Sequence, residues 1–440
     1  MNSQTKASAS ALFPLAVFLV LFIGTGTLLT YQNVNMAFYQ LSAAVAIVPA
    51  IVIAIIQHKG KLNQSIALFI HGVGESNIIT MSFIYIMAGA FATVAKSIGG
   101  VEATVNFGLS LIPVDLIVPG FFIIAAFIAT AMGTSMGTIA AIAPIGLGIS
   151  EQTEISSALM LGVIVGGAMF GDNLSMISDT TIAATRTQNC EMRDKFIFNS
   201  KIAFPTAIIT LIILYFTVSA PSTVAIKDYE FIKVIPYIAI LVLAVSGINV
   251  FVVLLAGILS CGLIGGIYNE GYTALKFSQD VYNGFASMNE IMILSMMLGG
   301  LGELIKVNGG ITWILQSIDK FAKKRSNANN KKTGEWSIAA LVSFADICLA
   351  NNTVAIILTG GLSKEIMEKN GIDPRRSASI LDMSSCVFQG LIPYGAQLLL
   401  AGSLSQISPV EIAINNWYCV LLGLAVIISI GFGIPKNHTK

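Results

Sequence analysis

The densest group of polar side chains in an apolar setting runs from Gly171 to Thr181, Gly-Asp-Asn-Leu-Ser-Met-Ile-Ser-Asp-Thr-Thr. It holds two carboxylates, Asp172 and Asp179, with Asn173, Ser175, Ser178 and Thr180 between and beside them. An Asp at the centre of a membrane span costs about 2.5–3.5 kcal/mol. Chains keep such groups to bind ions, carry protons or form a structural pair. A carboxylate away from water takes either a proton or a hard cation. Hydroxyls, amides and carbonyls supply the oxygen ligands that suit a hard ion such as Na⁺. Competition between the two ions for one site is the minimal device for exchanging them, so Asp172 and Asp179 are the first candidates to hold a transported cation.

Two further clusters offer oxygens and amides in apolar surroundings. One is Thr134-Ser135-Met136-Gly137-Thr138, and the other is Asn351-Asn352-Thr353. Helix capping accounts for part of both, since Asn, Ser and Thr suit helix starts. Capping does not require the caps to lie deep in a membrane. Asp346, five residues before the second cluster, and Asp382 are secondary candidates, for which a structural pair is an equal alternative. His71 and Glu75, four apart, read as an interfacial pair. Glu290 and Glu303 read as edge groups.

The surroundings of these residues set the class. Of 440 residues, 55% are hydrophobic and only 11% charged. A soluble domain carries roughly 25% charged residues, so this chain lacks the polar surface to cover itself in water. Lys and Arg nearly balance Asp and Glu, giving net charge +1. That balance gives no reason to expect a nucleic-acid partner. The five cysteines are isolated and the three histidines scattered, which favours packing over metal binding. With no GxxxxGK[ST] loop, no HExxH and no catalytic Ser/His pair, neither a cofactor nor an enzyme activity is expected.

Segments 11–30, 37–57, 75–95, 196–219, 248–268, 289–306 and 414–434 are long and apolar enough to span, with 231–246 a shorter neighbour. Stretches 115–149, 155–190, 336–363 and 377–404 are apolar but interrupted. The Lys and Arg clusters then place both termini in the cytoplasm, with ten crossings. On this count 115–149 and 336–363 return to the side they left. Their apices fall at residues 134–138 and 351–353.

The chain also repeats itself. Lys96-x-x-Gly99-Gly100 recurs as Lys306-x-x-Gly309-Gly310, an offset of 210 shared by Gly89 and Gly299, and Gly137-Thr138 pairs with Asn352-Thr353 at 215. The expected domains are a first repeat over 1–219, an external linker over 220–230 and a second repeat over 231–440. Five crossings per copy make the repeats inverted, a signature of secondary transporters. The expected fold is an all-α polytopic membrane protein with ten crossings and two re-entrant hairpins. Within it, helix 155–170 should stop at Gly171, and a second helical piece should start at Ser178 or Asp179. At the equivalent point of the second copy, Gln389 to Gly395 breaks the helix without supplying a carboxylate. Segments 100–112 and 310–322 read as interfacial arms.

The run GDNLSMISDTTIAATRTQ, residues 171–188, closely resembles the signature of the NhaC-type Na⁺/H⁺ antiporter family. The turns at Gly133-Thr134-Ser135 and at Ala350-Asn351-Asn352-Thr353 are similar to the hairpin tips of that family, and the similarity extends over nearly the whole chain. The resemblance implies alternating access in the cell membrane, driven by ion gradients. It also implies sites at Asp172, Asn173, Ser175, Ser178, Asp179 and Thr180, completed by Ser135, Thr138, Asn351, Asn352 and Thr353. Na⁺, H⁺ and the lipid bilayer are the implied partners, and a second copy of the chain is left open as another. The alternative is a Na⁺- or H⁺-coupled carrier of an amino acid or organic acid. In that case the tip amides would hold a substrate carboxylate at half-helix N-termini. A passive channel is disfavoured because channels rarely need inverted repeats.

Overall fold

The computed structural model describes residues 6–434, apart from 33, 35, 36, 38, 39, 59, 112, 154, 177, 218–226, 247, 315 and 318–330. Most of the expected linker, the basic run Lys320–Arg325, much of the arm 310–322 and the basic tail lie outside the described residues. Among those described, the secondary structure is helical throughout, with no strand. Five helices are long and apolar enough to cross a bilayer: Ala9–Leu29, Ser76–Ser97, Ser157–Gln188, Met192–Thr217 and Val250–Tyr268. Shorter apolar helices, Ala43–Gln57, Ile117–Met132, Phe231–Leu243, Ala396–Ser405 and Trp417–Phe432, pack among them.

The interrupted stretches fold into two hairpins and two broken helices. The first hairpin pairs Ile117–Met132 with Ser135–Gln152, and the second pairs Lys331–Leu349 with Asn352–Asn370. Both tips are built alike. A residue in the left-handed region ends the first arm (Gly133, φ 69°; Ala350, φ 50°). An extended residue then caps the second arm, Thr134 accepting from Gly137 N and Asn351 from Val354 N. The two caps lie 217 residues apart, so the turn geometry aligns Thr134 with Asn351 rather than the Gly137 and Asn352 that the 215-residue spacing suggests. Each arm of the second hairpin has 19 residues, about 28 Å at 1.5 Å per residue, longer than its apolar run alone indicates.

The first broken helix runs Ser157–Leu174, then Asp179–Gln188. Its first half continues past the expected stop at Gly171 and carries Asp172 and Asn173 in its last turn. The turn closes at Ser175, whose N–H donates to Gly171 O at 2.7 Å. Ser178 caps the second half by accepting from Thr181 N. The second broken helix runs Pro374–Gln389, then Ala396–Ser405, separated by Gly390–Gly395. Gly167 and Gly171 face the first arm of the first hairpin, Ile117–Met132, so closely that a Cβ on either would collide with its backbone, at Phe122 and at Ala129–Thr130 respectively. Small residues four apart permit such an approach, which sets Asp172 directly beneath the first tip.

Two amphipathic helices precede long ones: Leu62–Val73 before Ser76–Ser97, and Ala274–Ser287 before Asn289–Val307. Each packs on the long helix that follows the other. Gly72 meets Gly299 and Gly284 meets Gly89, backbone against backbone, with no room for a Cβ at any of the four. At the first junction, Glu75 caps Ser76–Ser97 by accepting from Asn77 N and Ile78 N. His71 instead faces Glu303, 3.8 Å away. The expected His71–Glu75 pair is therefore replaced, because the free amides of a helix start draw the carboxylate inward.

Candidate ion-binding site

The two hairpin tips and the two helix breaks converge on one cavity of about 80 Å³. Thr134 and Ser135 reach it from the first tip, and Asn351, Asn352 and Thr353 from the second. Asp172, Asp179 and Thr180 come from the first broken helix, and Gln389 and Gln397 from the second. At roughly 10–15 Å³ for each water position, the cavity holds several waters or a partly hydrated ion.

Asp172 is 4% exposed. Its Oδ2 accepts from Ser135 Oγ at 2.8 Å, and that hydroxyl accepts from Gln397 Nε2 at 3.1 Å. Asp179 departs from expectation. As the first residue of its helix it is exposed, although it lines the same cavity. The two carboxylates therefore sit in unlike surroundings, one enclosed by protein and one open.

The remaining expected ligands divide. Thr180 and Thr353 border the cavity, whereas Asn173, Ser175, Ser178 and Thr138 do not. Asn173 Nδ2 donates to Tyr418 OH at 3.2 Å, and Thr138 Oγ1 donates to Thr134 O at 3.0 Å within its own helix. Ser178 Oγ is engaged with Thr180 and Thr181 at the helix start. Ser178 Oγ also lies 3.4 Å from Asp172 O, across the break. Thr181 Oγ1 ties it further by donating to Ser175 O at 2.7 Å.

Asn351 and Asn352 are turned with their carbonyl oxygens toward backbone amides, Val354 N at 3.0 Å and Thr353 N at 2.9 Å. Their Nδ2 groups are buried and find no partner among the described residues. The second tip thus offers two free donors at a helix N-terminus, opposite the carboxylates of the first broken helix. A second cavity, about 130 Å³, shares Asn351 and is lined by Glu75, Glu303 and Lys306. Glu303, expected at a membrane edge, therefore faces a space beside the site.

Sequence reasoning missed Lys195. It lies in an Arg-Asp-Lys run that reads as a cytoplasmic anchor, yet it is completely buried. Its Nζ lies 2.9 Å from Asp382 Oδ2, also fully buried, and it donates to Thr181 Oγ1. Asn199 Nδ2 completes the knot, donating to Asp382 Oδ2 and to Asn173 O at 2.8 Å each. Asn199 thereby satisfies one of the carbonyls left free at the end of the first half-helix. Asp382 is thus one half of a buried pair. The only prior sign was two polar residues, Lys195 and Asn199, four apart at the start of an apolar helix. Gln397, which reaches Ser135 from the far side of the second break, left no local signal. Among the described residues no three His, Cys, Asp or Glu side chains group as a metal centre.

Comparison with known proteins places these residues in context. The model of the Na⁺/H⁺ antiporter family matches residues 5–220. The chain is 23% identical to the malate-2H⁺/Na⁺-lactate antiporter of Bacillus subtilis, covering 81% of this chain and 82% of that protein. It is 24% identical to the Na⁺/H⁺ antiporter NhaC of the same organism, over 73% of this chain and 76% of that one. Among solved structures, the YdaH transporter of Alcanivorax borkumensis aligns over 97% of this chain and 98% of its own, at TM-score 0.44 and 12% identity.

Proposed function

Because the model of the Na⁺/H⁺ antiporter family matches residues 5–220, we propose that the chain is a member of that family and a secondary active transporter of the cell membrane, exchanging Na⁺ for H⁺ by alternating access. The observation that carries this reading is Asp172, an enclosed carboxylate at a cavity to which both hairpin tips and both helix breaks contribute. Na⁺ would take one oxygen from Asp172 and others from Ser135, the tip groups and retained water. A charge so enclosed must be balanced, so a cation entering must be matched by a proton leaving. Asp179 would act at the mouth, where an exposed carboxylate concentrates cations without binding them tightly, with the buried Thr180 bordering the cavity beside it.

The same proposal carries ten crossings, cytoplasmic termini, re-entrant hairpins and inverted repeats over 1–219 and 231–440. The reciprocal contacts of Gly72 with Gly299 and Gly284 with Gly89 support the repeats, since a two-fold operation would exchange those pairs. The test of function is Na⁺-induced alkalinisation inside acid-loaded everted vesicles. Asp172→Asn should abolish it, with a loss of 100-fold or more by order of magnitude for a charge that ligates the ion. Asp179→Asn should raise the apparent KM for Na⁺ by less than about tenfold, as expected for steering alone. Full exchange in Asp172→Asn would sink the assignment.

A second reading is favoured by the unpartnered Nδ2 groups of Asn351 and Asn352. Two amide donors at a helix N-terminus suit a carboxylate, so an organic acid or amino acid would be the cargo, coupled to Na⁺ or H⁺. Uptake of labelled dicarboxylates and amino acids into proteoliposomes separates the two.

A further inference from the structure

Asp346 lies on the first arm of the second hairpin and is fully buried. It pairs with no cation among the described residues, and its Oδ2 has no hydrogen-bond partner there. Its Oδ1 lies 3.0 Å from one end of the Gln389 side-chain amide. The other end of that amide is 2.6 Å from Gln397 Oε1. Gln397 continues to Ser135 at 3.1 Å, and Ser135 to Asp172 at 2.8 Å. Four contacts thus join two buried carboxylates, one from each half of the chain, through two amides and one hydroxyl.

Such a chain has two polarities, and the end of the Gln389 amide that meets Gln397 has a backbone partner in each: it donates to Ala350 O at 3.3 Å in the first and accepts from Ala396 N at 3.3 Å in the second. In the first, Ser135 Oγ donates to Asp172, Gln397 Nε2 to Ser135 Oγ, and Gln389 Nε2 to Gln397 Oε1. Gln389 then turns its Oε1 to Asp346, and two facing acceptors at 3.0 Å require a proton on the carboxyl. In the second, every donor points the other way, and Gln389 Nε2 donates to an ionised Asp346. A hydroxyl that ligates a cation through its oxygen must turn its hydrogen away, so a cation shared by Asp172 and Ser135 selects the second polarity. Mixed arrangements set two buried amide oxygens, or two N–H groups, directly against each other, which costs the penalty of an unsatisfied buried polar group.

From this geometry we infer that Asp346 is the proton site of the exchange and Asp172 the cation site, with Ser135, Gln397 and Gln389 as the switch between them. The inference rests on the cation-binding reading of Asp172. When Na⁺ enters at Asp172, one proton leaves Asp346 to water. When Na⁺ leaves, Asp346 takes a proton back and the chain reverses. Charge is conserved, one Na⁺ against one H⁺, although the ions occupy different carboxylates. Other ionisable groups face each end. Asp179 and the Lys195–Asp382 pair stand toward Asp172, and Cys348 and Tyr394 toward Asp346. Tyr394 is engaged elsewhere, its hydroxyl donating to Ile347 O at 2.7 Å. Gln389 and Gln397 are positioning residues, since the proton rests on neither.

The experiment counts protons released per Na⁺ bound, on purified full-length protein in weakly buffered detergent solution, with binding followed by ²²Na⁺. Wild type should release about one proton per Na⁺, with the Kd falling about tenfold per pH unit as pH rises through the range where Asp346 is protonated. Asp346→Asn should still bind Na⁺, with release near zero and a Kd independent of pH. Gln389→Met, close in shape but unable to relay, should keep Na⁺ binding and lose the coupled release. Infrared difference spectra of the wild type, which need no variant, should show a protonated-carboxyl band disappear on Na⁺ addition and remain in Gln389→Met. One proton per Na⁺ still released by Asp346→Asn, or no such band in wild type, would overturn the inference while leaving Asp172 as the cation site. A wild type that binds no Na⁺ would overturn the functional reading as well.

Discussion

Ala350 stands at φ 50° in the second hairpin tip, where the first tip has Gly133 at φ 69°. A residue with a Cβ pays roughly 1 kcal/mol in the left-handed region. Ala350→Gly should therefore raise the midpoint of unfolding in a denaturing detergent by up to about 1 kcal/mol in free energy, and Ala350→Val should lower it by more. Asn351 and Asn352 follow directly, and their orientation depends on this turn. A glycine that stabilised the fold while slowing transport would indicate that the strain holds the two amides in place. Asp172 and Asp179 carry the same contrast between rigidity and access. Seven residues apart in the chain, they meet one cavity from enclosed and open positions because the helix unwinds between them.

At the scale of elements, the first broken helix is held by its neighbour Met192–Thr217 through Lys195 and Asn199. Their partner Asp382 belongs to the second broken helix, so the buried ion pair, with Thr181 and Asn199, links the two broken helices through Met192–Thr217. Removing one partner of such a pair leaves an uncompensated charge and costs about 3–5 kcal/mol. Lys195→Met and Asp382→Leu should each destabilise by that much in equilibrium unfolding. The double variant should recover most of the loss, because apolar replacement of both partners is close to neutral. Additive losses would mean that the pair contributes less than its neighbours Thr181 and Asn199.

The second broken helix begins at a surface cap. Asp373 accepts from Arg375 N at 2.9 Å and from its guanidinium at 2.7 Å. Burial acts against the charged form, but the hydrogen bonds and charge of Arg375 outweigh it and hold the carboxyl below the usual range. A group lowered in this way stabilises the fold above its ordinary pKa near 4, and its contribution fades as pH falls through the folded value. Asp373→Ala should cost about 1 kcal/mol at pH 7. Unfolding midpoints of variant and parent should converge in acid, while a gap independent of pH would assign the effect to lost packing.

Across the whole molecule, the two halves interlock rather than stand side by side. Leu62–Val73 packs on Asn289–Val307, and Ala274–Ser287 packs on Ser76–Ser97. An inverted arrangement puts the chain before Leu62 and the chain before Ala274 on opposite membrane faces. Lys61 and Glu270 are both exposed, which makes them suitable probes. In a Cys190→Ser background, Lys61→Cys should react with an impermeant maleimide only in everted vesicles, and Glu270→Cys only in right-side-out ones. Reaction of both from one face would refute the inverted topology.

Local chemistry was legible in the residues alone. Apolar runs marked the helices, and Thr134, Ser178 and Asn351 marked helix starts, because a cap is satisfied by amides two or three positions away. The gap between Gln389 and Gly395 announced the second break for the same reason. Only the tertiary structure decided which carboxylates are paired, which is enclosed and which are linked. Asp382 meets Lys195 across 187 positions, and Ser135 meets Gln397 across 262. Such contacts depend on how helices pack, and helix packing depends on the shapes of whole surfaces, which no short stretch of residues contains. The helices and their breaks were therefore written locally, while the partners of Asp172, Asp346 and Asp382 were set by the folded chain.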